Sequence, residues 1–146
     1  VTLDKFAISR ERGDDMIVMV CGMIGSGKST WAEKQNGVIS DFDEIGSKKK
    51  QIEFTIKNHT AGKTVYHVTC YPTRDEESLI FEYGAKFIWI NTTMNKCRKN
   101  ILTRGRKRDL VDISVTLDKN DAIMSRYLNS DMDFKIIDVF KSSEKW

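Results

Sequence analysis

The sequence predicts an α/β fold built on a five-stranded parallel sheet with helices on both faces. Three observations carry this. Short apolar runs recur along the chain, helix-forming stretches separate them, and glycines punctuate the junctions. The runs are continuous rather than alternating, as strands covered on both faces require. No repeat, low-complexity segment or linker divides the 146 residues, so they read as one domain over 1–146.

The elements follow in order. Residues 16–21 are a buried strand that runs into a glycine loop. A helix spans 28–35, Gly37 ends it, and 38–40 is a short second strand. In 48–58, Ile52, Phe54 and Ile56 have an ambiguous spacing, but length and the lysine run favour a helix. The third strand covers 64–69. A helix over 73–83 is capped by Thr73, with Glu76 three residues on, and Gly84 closes it. Residues 87–90 are the fourth strand, 93–104 and 117–128 are helices around a basic turn, and 135–140 is the fifth strand.

Composition bounds the function. Apolar residues at 40% and charged residues at 31% describe a water-soluble globular chain. No apolar run approaches the ~20 residues that span a bilayer. The mixed start, 1–15, has the pattern of neither a secretory nor a transit signal. The three cysteines, Cys21, Cys70 and Cys97, have no metal-ligand spacing and read as reduced thiols of a cytoplasmic protein. His67 falls inside a strand and reads as a packed histidine. Net charge is only +3, yet Lys96, Arg98, Lys99, Arg104, Arg106, Lys107 and Arg108 crowd one segment without an acid.

The glycine loop carries the sharpest chemistry. Gly22, Gly25, Ser26, Gly27, Lys28 and Ser29 lie in a stretch that satisfies G-x-x-x-x-G-K-[ST] at every fixed position, with Thr30 next. The strand leading in and the helix leading out are the context this phosphate-binding loop needs. Its glycines let backbone amides surround phosphate oxygens. Lys28 brings a charge to the β- and γ-phosphates, and Ser29 offers a hydroxyl to Mg²⁺. The expectation is a three-layer P-loop NTPase fold that binds ATP and Mg²⁺. The absence of an Asn-Lys-x-Asp motif argues against a GTPase.

In a parallel sheet of this kind the strand C-termini face the phosphate loop. Asp41 and Asp43, after the second strand, therefore fall near the γ-phosphate. A carboxylate there accepts the proton of an attacking hydroxyl, holds Mg²⁺ through water, or caps the helix that begins near Glu44. Arg98 and Arg104 are six apart, so one regular helix cannot aim both at one phosphate. Lys107 and Arg108 are placed to touch an acceptor polyanion.

The run from Gly25 to Ala32, followed by a strand and Asp41-Phe42-Asp43-Glu44-Ile45, resembles the kinase domain of bacteriophage polynucleotide 5′-kinase and the zeta-toxin-like kinases. The resemblance covers roughly 16–128. It implies a general base at Asp43, with Glu44 the second acid, and an arginine-bearing lid over about 93–118, where Arg104, beside Gly105, is the candidate for stabilising charge on the transferring phosphoryl group. It also implies γ-phosphate transfer from ATP to a polynucleotide 5′-hydroxyl, in the cytoplasm (the host's, if phage-encoded). The sequence departs from the pattern twice. Gly46 stands where the family often has an arginine, and Thr69 stands where it has an aspartate. Asp41, Thr69 and Arg74 are the acceptor-side candidates that remain, and Tyr71 offers a face for a base. A nucleoside, nucleotide or other small-metabolite kinase is the alternative acceptor reading. An ATP-binding switch without transferase activity is the alternative of another class.

Overall fold

The computed structural model describes residues 16–139. Strands β1 (Ile17–Cys21), β2 (Val38–Asp41), β3 (Val65–Val68), β4 (Lys86–Asn91) and β5 (Lys135–Asp138) form one sheet in the order β2-β3-β1-β4-β5. Every pairing is parallel. Seven helices complete the described chain: α1 (Lys28–Glu33), α2 (Phe42–Ile45), α3 (Lys48–Thr60), α4 (Glu77–Phe81), α5 (Met94–Arg104), α6 (Lys107–Leu110) and α7 (Ile113–Leu128). This is the three-layer α/β fold the sequence predicts. The readings of 1–15 and of Phe140 lie outside the described residues. No helix among the described residues is long and apolar enough to cross a membrane.

The central strand shows why the sheet needs two covers. All five residues of β1 are buried, and their side chains alternate between two cores. Val18 and Val20 join Trp31 and Ala32 of α1, Tyr66, Ile88 and Ile90 on one face. Ile17, Met19 and Cys21 join Leu79, Trp89 and Cys97 on the other, where Ile52 and Ile56 of α3 and Ile123 and Tyr127 of α7 pack against them. Tyr127 stacks on Trp89 with ring centroids 3.9 Å apart and planes 8° from parallel. Stacking of that kind adds about 0.5–1.5 kcal/mol beyond area burial and pins α7 to the sheet. Burial pushes the Cys21 thiol up, and pushes Cys97 up to about 12 against Lys28 and Arg104. None of the three cysteines is in a disulfide.

Some boundaries differ from the sequence reading, each for a local reason. The helix expected over 73–83 is shorter, but Thr73 and Glu76 do form the reciprocal box. The Thr73 amide donates to Glu76 Oε1 at 2.9 Å, and the Glu76 amide donates to Thr73 Oγ1 at 3.2 Å. The last helix begins at Ile113 rather than Leu117 because Asp112 caps it, accepting from the Ser114 amide at 3.1 Å. The basic turn before it contains α6. Asp41 closes β2 and also caps α2, accepting from the Asp43 amide at 3.0 Å. α2 ends at Gly46, whose φ of +86° is left-handed. A residue with a Cβ is strained there, which is a backbone reason for glycine in place of arginine.

Candidate functional site

The C-terminal ends of β1, β2 and β3 open into a cavity of about 820 Å³. The glycine loop forms its floor, the turn after β2 one wall, and α5 to α7 the other. Asp41 and Asp43, Lys28 and Ser29, Thr69 and Arg104 all line it. These residues come from separate stretches of sequence and meet because parallel crossovers return every strand to the same edge.

Local contacts set the shape of the loop. Gly25 has φ +81°, and a Cβ on it would lie 2.7 Å from the Cys97 carbonyl oxygen. Both conformation and space therefore demand glycine. The loop is also strapped from outside by three polar side chains. Thr92 donates to the Ser26 carbonyl at 2.7 Å and Asn100 donates to the Gly25 carbonyl at 2.9 Å. Asn120 of α7 accepts from the Ile24 amide at 2.7 Å and returns a bond to the Ile24 carbonyl at 3.0 Å.

The candidate phosphate ligands differ in what they present. The first helical bond of α1 runs from the Trp31 amide to the Gly27 carbonyl at 2.9 Å, so the amides of Lys28, Ser29 and Thr30 precede it and have no helical acceptor. Ser26 is turned inward. Its amide donates to the Met23 carbonyl at 3.1 Å, and its hydroxyl is buried where a Cβ on Gly22 would come within 2.6 Å. Gly22 itself is buried and donates to the Cys70 carbonyl at 3.0 Å. Gly22 and Ser26 thus shape the loop, and the open amides come after them.

Lys28 reaches back over the loop. Its ammonium donates to the Met23 carbonyl at 2.7 Å and stands 3.7 Å from Cys70 Sγ. Neither partner is a carboxylate, which leaves its charge available to an anion. Ser29 Oγ donates to Asp41 Oδ2 at 2.9 Å. The loop serine and the β2 carboxylate therefore form one oxygen cluster.

Asp43 is held differently. Arg106 meets Oδ2 at 2.6 Å and Arg108 meets Oδ1 at 2.5 Å. Partial burial pushes its carboxyl up, but Arg108 and Arg106 outweigh that and keep it below the ordinary 3.8. Arg104 pairs with Asp109 at 3.1 Å while lining the cavity. Arg98 is exposed and outside the cavity lining, and so is Arg74. Arg126 of α7 takes the lining position on that side. Its guanidinium lies 4.4 Å from the Tyr71 ring centre and donates to the Pro72 carbonyl at 3.3 Å. One face of Tyr71 is thereby covered.

Thr69 lines the cavity, but its hydroxyl is already engaged. It donates to Glu76 Oε1 at 3.0 Å and accepts from Lys48 at 3.3 Å. Glu76 is the hub beneath it, fully buried and also bonded to Lys48 at 2.9 Å and His67 at 2.5 Å. Burial alone would raise its carboxyl; the His67 bond and charge, Lys48 and the Thr73 amide hold it down at about 2. His67 is packed within the sheet, as its strand position predicts. Sequence reasoning missed Lys48, Asn100, Lys119, Asn120 and Arg126 as cavity or loop residues. The one signal for Asn120 is a polar residue among Thr116, Ile123 and Tyr127, on the face that α7 turns to the sheet and loop.

No family model matches the chain, and no curated protein matches it. Among solved structures it is similar to a deoxyadenosine kinase from M. mycoides with bound dATP. The two are 15% identical, the match covers 89% of this chain and 94% of that one, and the TM-score is 0.49. A likeness at that level says nothing about the acceptor or the chemistry of this chain.

Proposed function

We propose that the chain is an ATP-dependent phosphotransferase that moves the γ-phosphoryl group to a hydroxyl acceptor. The observation that carries this reading is the 2.9 Å bond between Ser29 of the glycine loop and Asp41 of β2, beside Lys28 in one cavity. A strand-to-helix glycine loop with a lysine is a phosphate cradle. A hydroxyl and a carboxylate side by side are hard oxygen donors that suit Mg²⁺, which completes its shell from phosphate oxygens and water. Ser29 and Asp41 would hold such an ion, and it would supply positive charge against the phosphate oxygens. Asp41 is then the metal-side carboxylate, and Asp43, further into the acceptor wall, is the base. Lys28 holds the β- and γ-phosphates, and Arg104 on the lid over about 93–118 meets the charge that spreads in the transition state.

The favoured acceptor is a polynucleotide 5′-hydroxyl. Lys28, Lys48, Arg104, Arg106, Arg108, Lys119 and Arg126 line the cavity against Glu33, Asp41, Asp43 and Asp109, which is a setting for more than one anion. A second reading, a small-metabolite kinase, is favoured by the bridge from Asp43 to the lid, which narrows the mouth, and by Arg74 lying outside it.

The test is an acceptor screen with γ-labelled ATP, run with Asp43→Asn beside the wild type. Label should pass to 5′-hydroxyl oligonucleotides, and activity should fall steeply with salt. Nucleosides labelled as well as oligonucleotides would move the assignment to the small-metabolite reading. Asp43→Asn should lower transfer by about 10²–10⁴-fold while nucleotide binding survives. Near-wild-type transfer by that variant would remove Asp43 from the role of base. Tight nucleotide binding with no transfer to any acceptor would favour a switch.

A further inference from the structure

Arg106 and Arg108 stand 63 and 65 residues beyond Asp43 in the chain, and each takes one of its carboxylate oxygens. Two guanidinium groups on two oxygens of one anion make a fork that a phosphate group satisfies equally well. The fork lines the same cavity as Lys28 and Ser29. Another of the cavity's cations, Lys48, is committed to buried Glu76. Arg108 has a second, longer approach to Asp109 at 3.8 Å. A carboxylate with both oxygens engaged by cations is a weak proton acceptor. The contact that ties this basic segment to the turn after β2 therefore also engages the group placed to act as base.

We propose that Arg106 and Arg108 form an anion clamp that Asp43 occupies before nucleotide binds, and that a phosphate group of the bound nucleotide takes the clamp and frees Asp43. This rests on the phosphotransferase reading. In the transfer, the acceptor oxygen forms its bond to the γ-phosphorus, and the bond from that phosphorus to the β,γ-bridging oxygen breaks. The electron pair leaves on ADP, and the acceptor's proton passes to Asp43. The exchange is easy because the pairs are only partly buried, with the side chains of Asp43, Arg106 and Arg108 exposed by 29%, 36% and 54%. A phosphate also carries more charge than a carboxylate and holds arginine more strongly.

The clamp makes Asp43 a competitor of the nucleotide, and that can be measured without turnover. Calorimetry would give the affinity of the full chain for a non-hydrolysable ATP analogue with Mg²⁺. The variants are Asp43→Asn, Arg106→Gln with Arg108→Gln, and all three together, with Asp43→Ser as a second removal of the carboxylate. Asp43→Asn should tighten binding by about three- to tenfold, the range two part-exposed ion pairs supply. The paired arginine variant should weaken binding, and adding Asp43→Asn to it should change nothing. An unchanged or weaker affinity in Asp43→Asn overturns the clamp and leaves the phosphotransferase reading standing. So does the same gain in the arginine-free background, because the carboxylate would then act only through its field. No nucleotide binding by the wild type overturns both.

Discussion

The glycine loop and the lid face each other across one cavity and are held by opposite means. The loop is strapped by neutral hydrogen bonds from Thr92, Asn100 and Asn120 to its backbone. The lid is held by ion pairs, Asp43 with Arg106 and Arg108, and Arg104 with Asp109. Short neutral bonds, buried at Thr92 and part-buried at Asn100 and Asn120, are directional and insensitive to salt, and breaking one leaves a polar group unpaired. Part-exposed ion pairs contribute about 0–1 kcal/mol and exchange partners at little cost. The floor is thus held by directional bonds and the roof by exchangeable ones, which is what the proposed phosphotransferase reading would ask of a lid. The two carboxylates repeat the contrast. Glu76 and Asp43 are both held below their ordinary values, Glu76 by a buried network and Asp43 by two lid arginines.

The largest expected effect comes from taking the charge out of the buried network. Glu76→Gln removes the negative charge that Lys48 and His67 share and turns one of the two accepting oxygens into a donor, so the bonds to Lys48, His67, Thr69 and the Thr73 amide cannot all be kept. Stability should fall by about 3–5 kcal/mol, the usual result of stripping one partner from a buried pair. Urea unfolding followed by fluorescence measures it. The same network sets a pH dependence. The Glu76 carboxyl is lowered on folding from 4.5 to about 2, so its contribution is complete above 4.5 and disappears as pH falls towards about 2. In Glu76→Gln that part of the acid unfolding curve should flatten. A curve identical to wild type would mean that Glu76 is not the group that titrates.

A smaller effect is expected at the strap. Asn120→Ala leaves the Ile24 amide and carbonyl without partners and opens space under α7. It should cost about 1–3 kcal/mol and weaken nucleotide binding, because the loop loses one of its three outside supports. Asn120→Asp separates the two halves of the contact. It keeps the acceptor for the Ile24 amide but sets a buried carboxylate oxygen against the Ile24 carbonyl, so it should cost at least as much as Ala. If both variants bind nucleotide as the wild type does, the strap supports stability alone.

What was legible in the sequence follows the same division. The five parallel strands, the loop and the meeting of Lys28, Ser29, Asp41 and Asp43 follow from local patterns plus the rule that parallel strands share one active edge. The reciprocal Thr73 and Glu76 cap was legible because its spacing is fixed. The rest depends on which long side chain reaches which distant group, and no spacing rule encodes that. Asp43 looked like a free base because nothing in 38–45 announces Arg106 or Arg108. Thr69 looked like a lost acid because Glu76, seven residues on, returns its carboxylate beneath it. Gly46 looked like a missing arginine, whereas its φ of +86° explains the glycine by backbone geometry. Arg74 looked like the acceptor-side arginine, and packing puts Arg126 in the cavity lining instead.

The smallest expected effect is at the lid, and it is the sharpest test of the contrast. Arg108→Gln removes one of the two arms on Asp43 and a 3.8 Å approach to Asp109. Its partners are part-exposed, so global stability should change by less than about 1 kcal/mol. Raising salt from low to physiological should narrow even that difference, because solvent-exposed ion pairs are weakened by screening. The loop variants should keep their full penalty under the same change, since neutral buried bonds carry no net charge to screen. A salt-independent loss of more than about 2 kcal/mol in Arg108→Gln would place the lid among the fixed elements, alongside the strapped loop. Nucleotide binding would then have to proceed with Asp43 still held, and the base would have to be sought elsewhere on the acceptor wall.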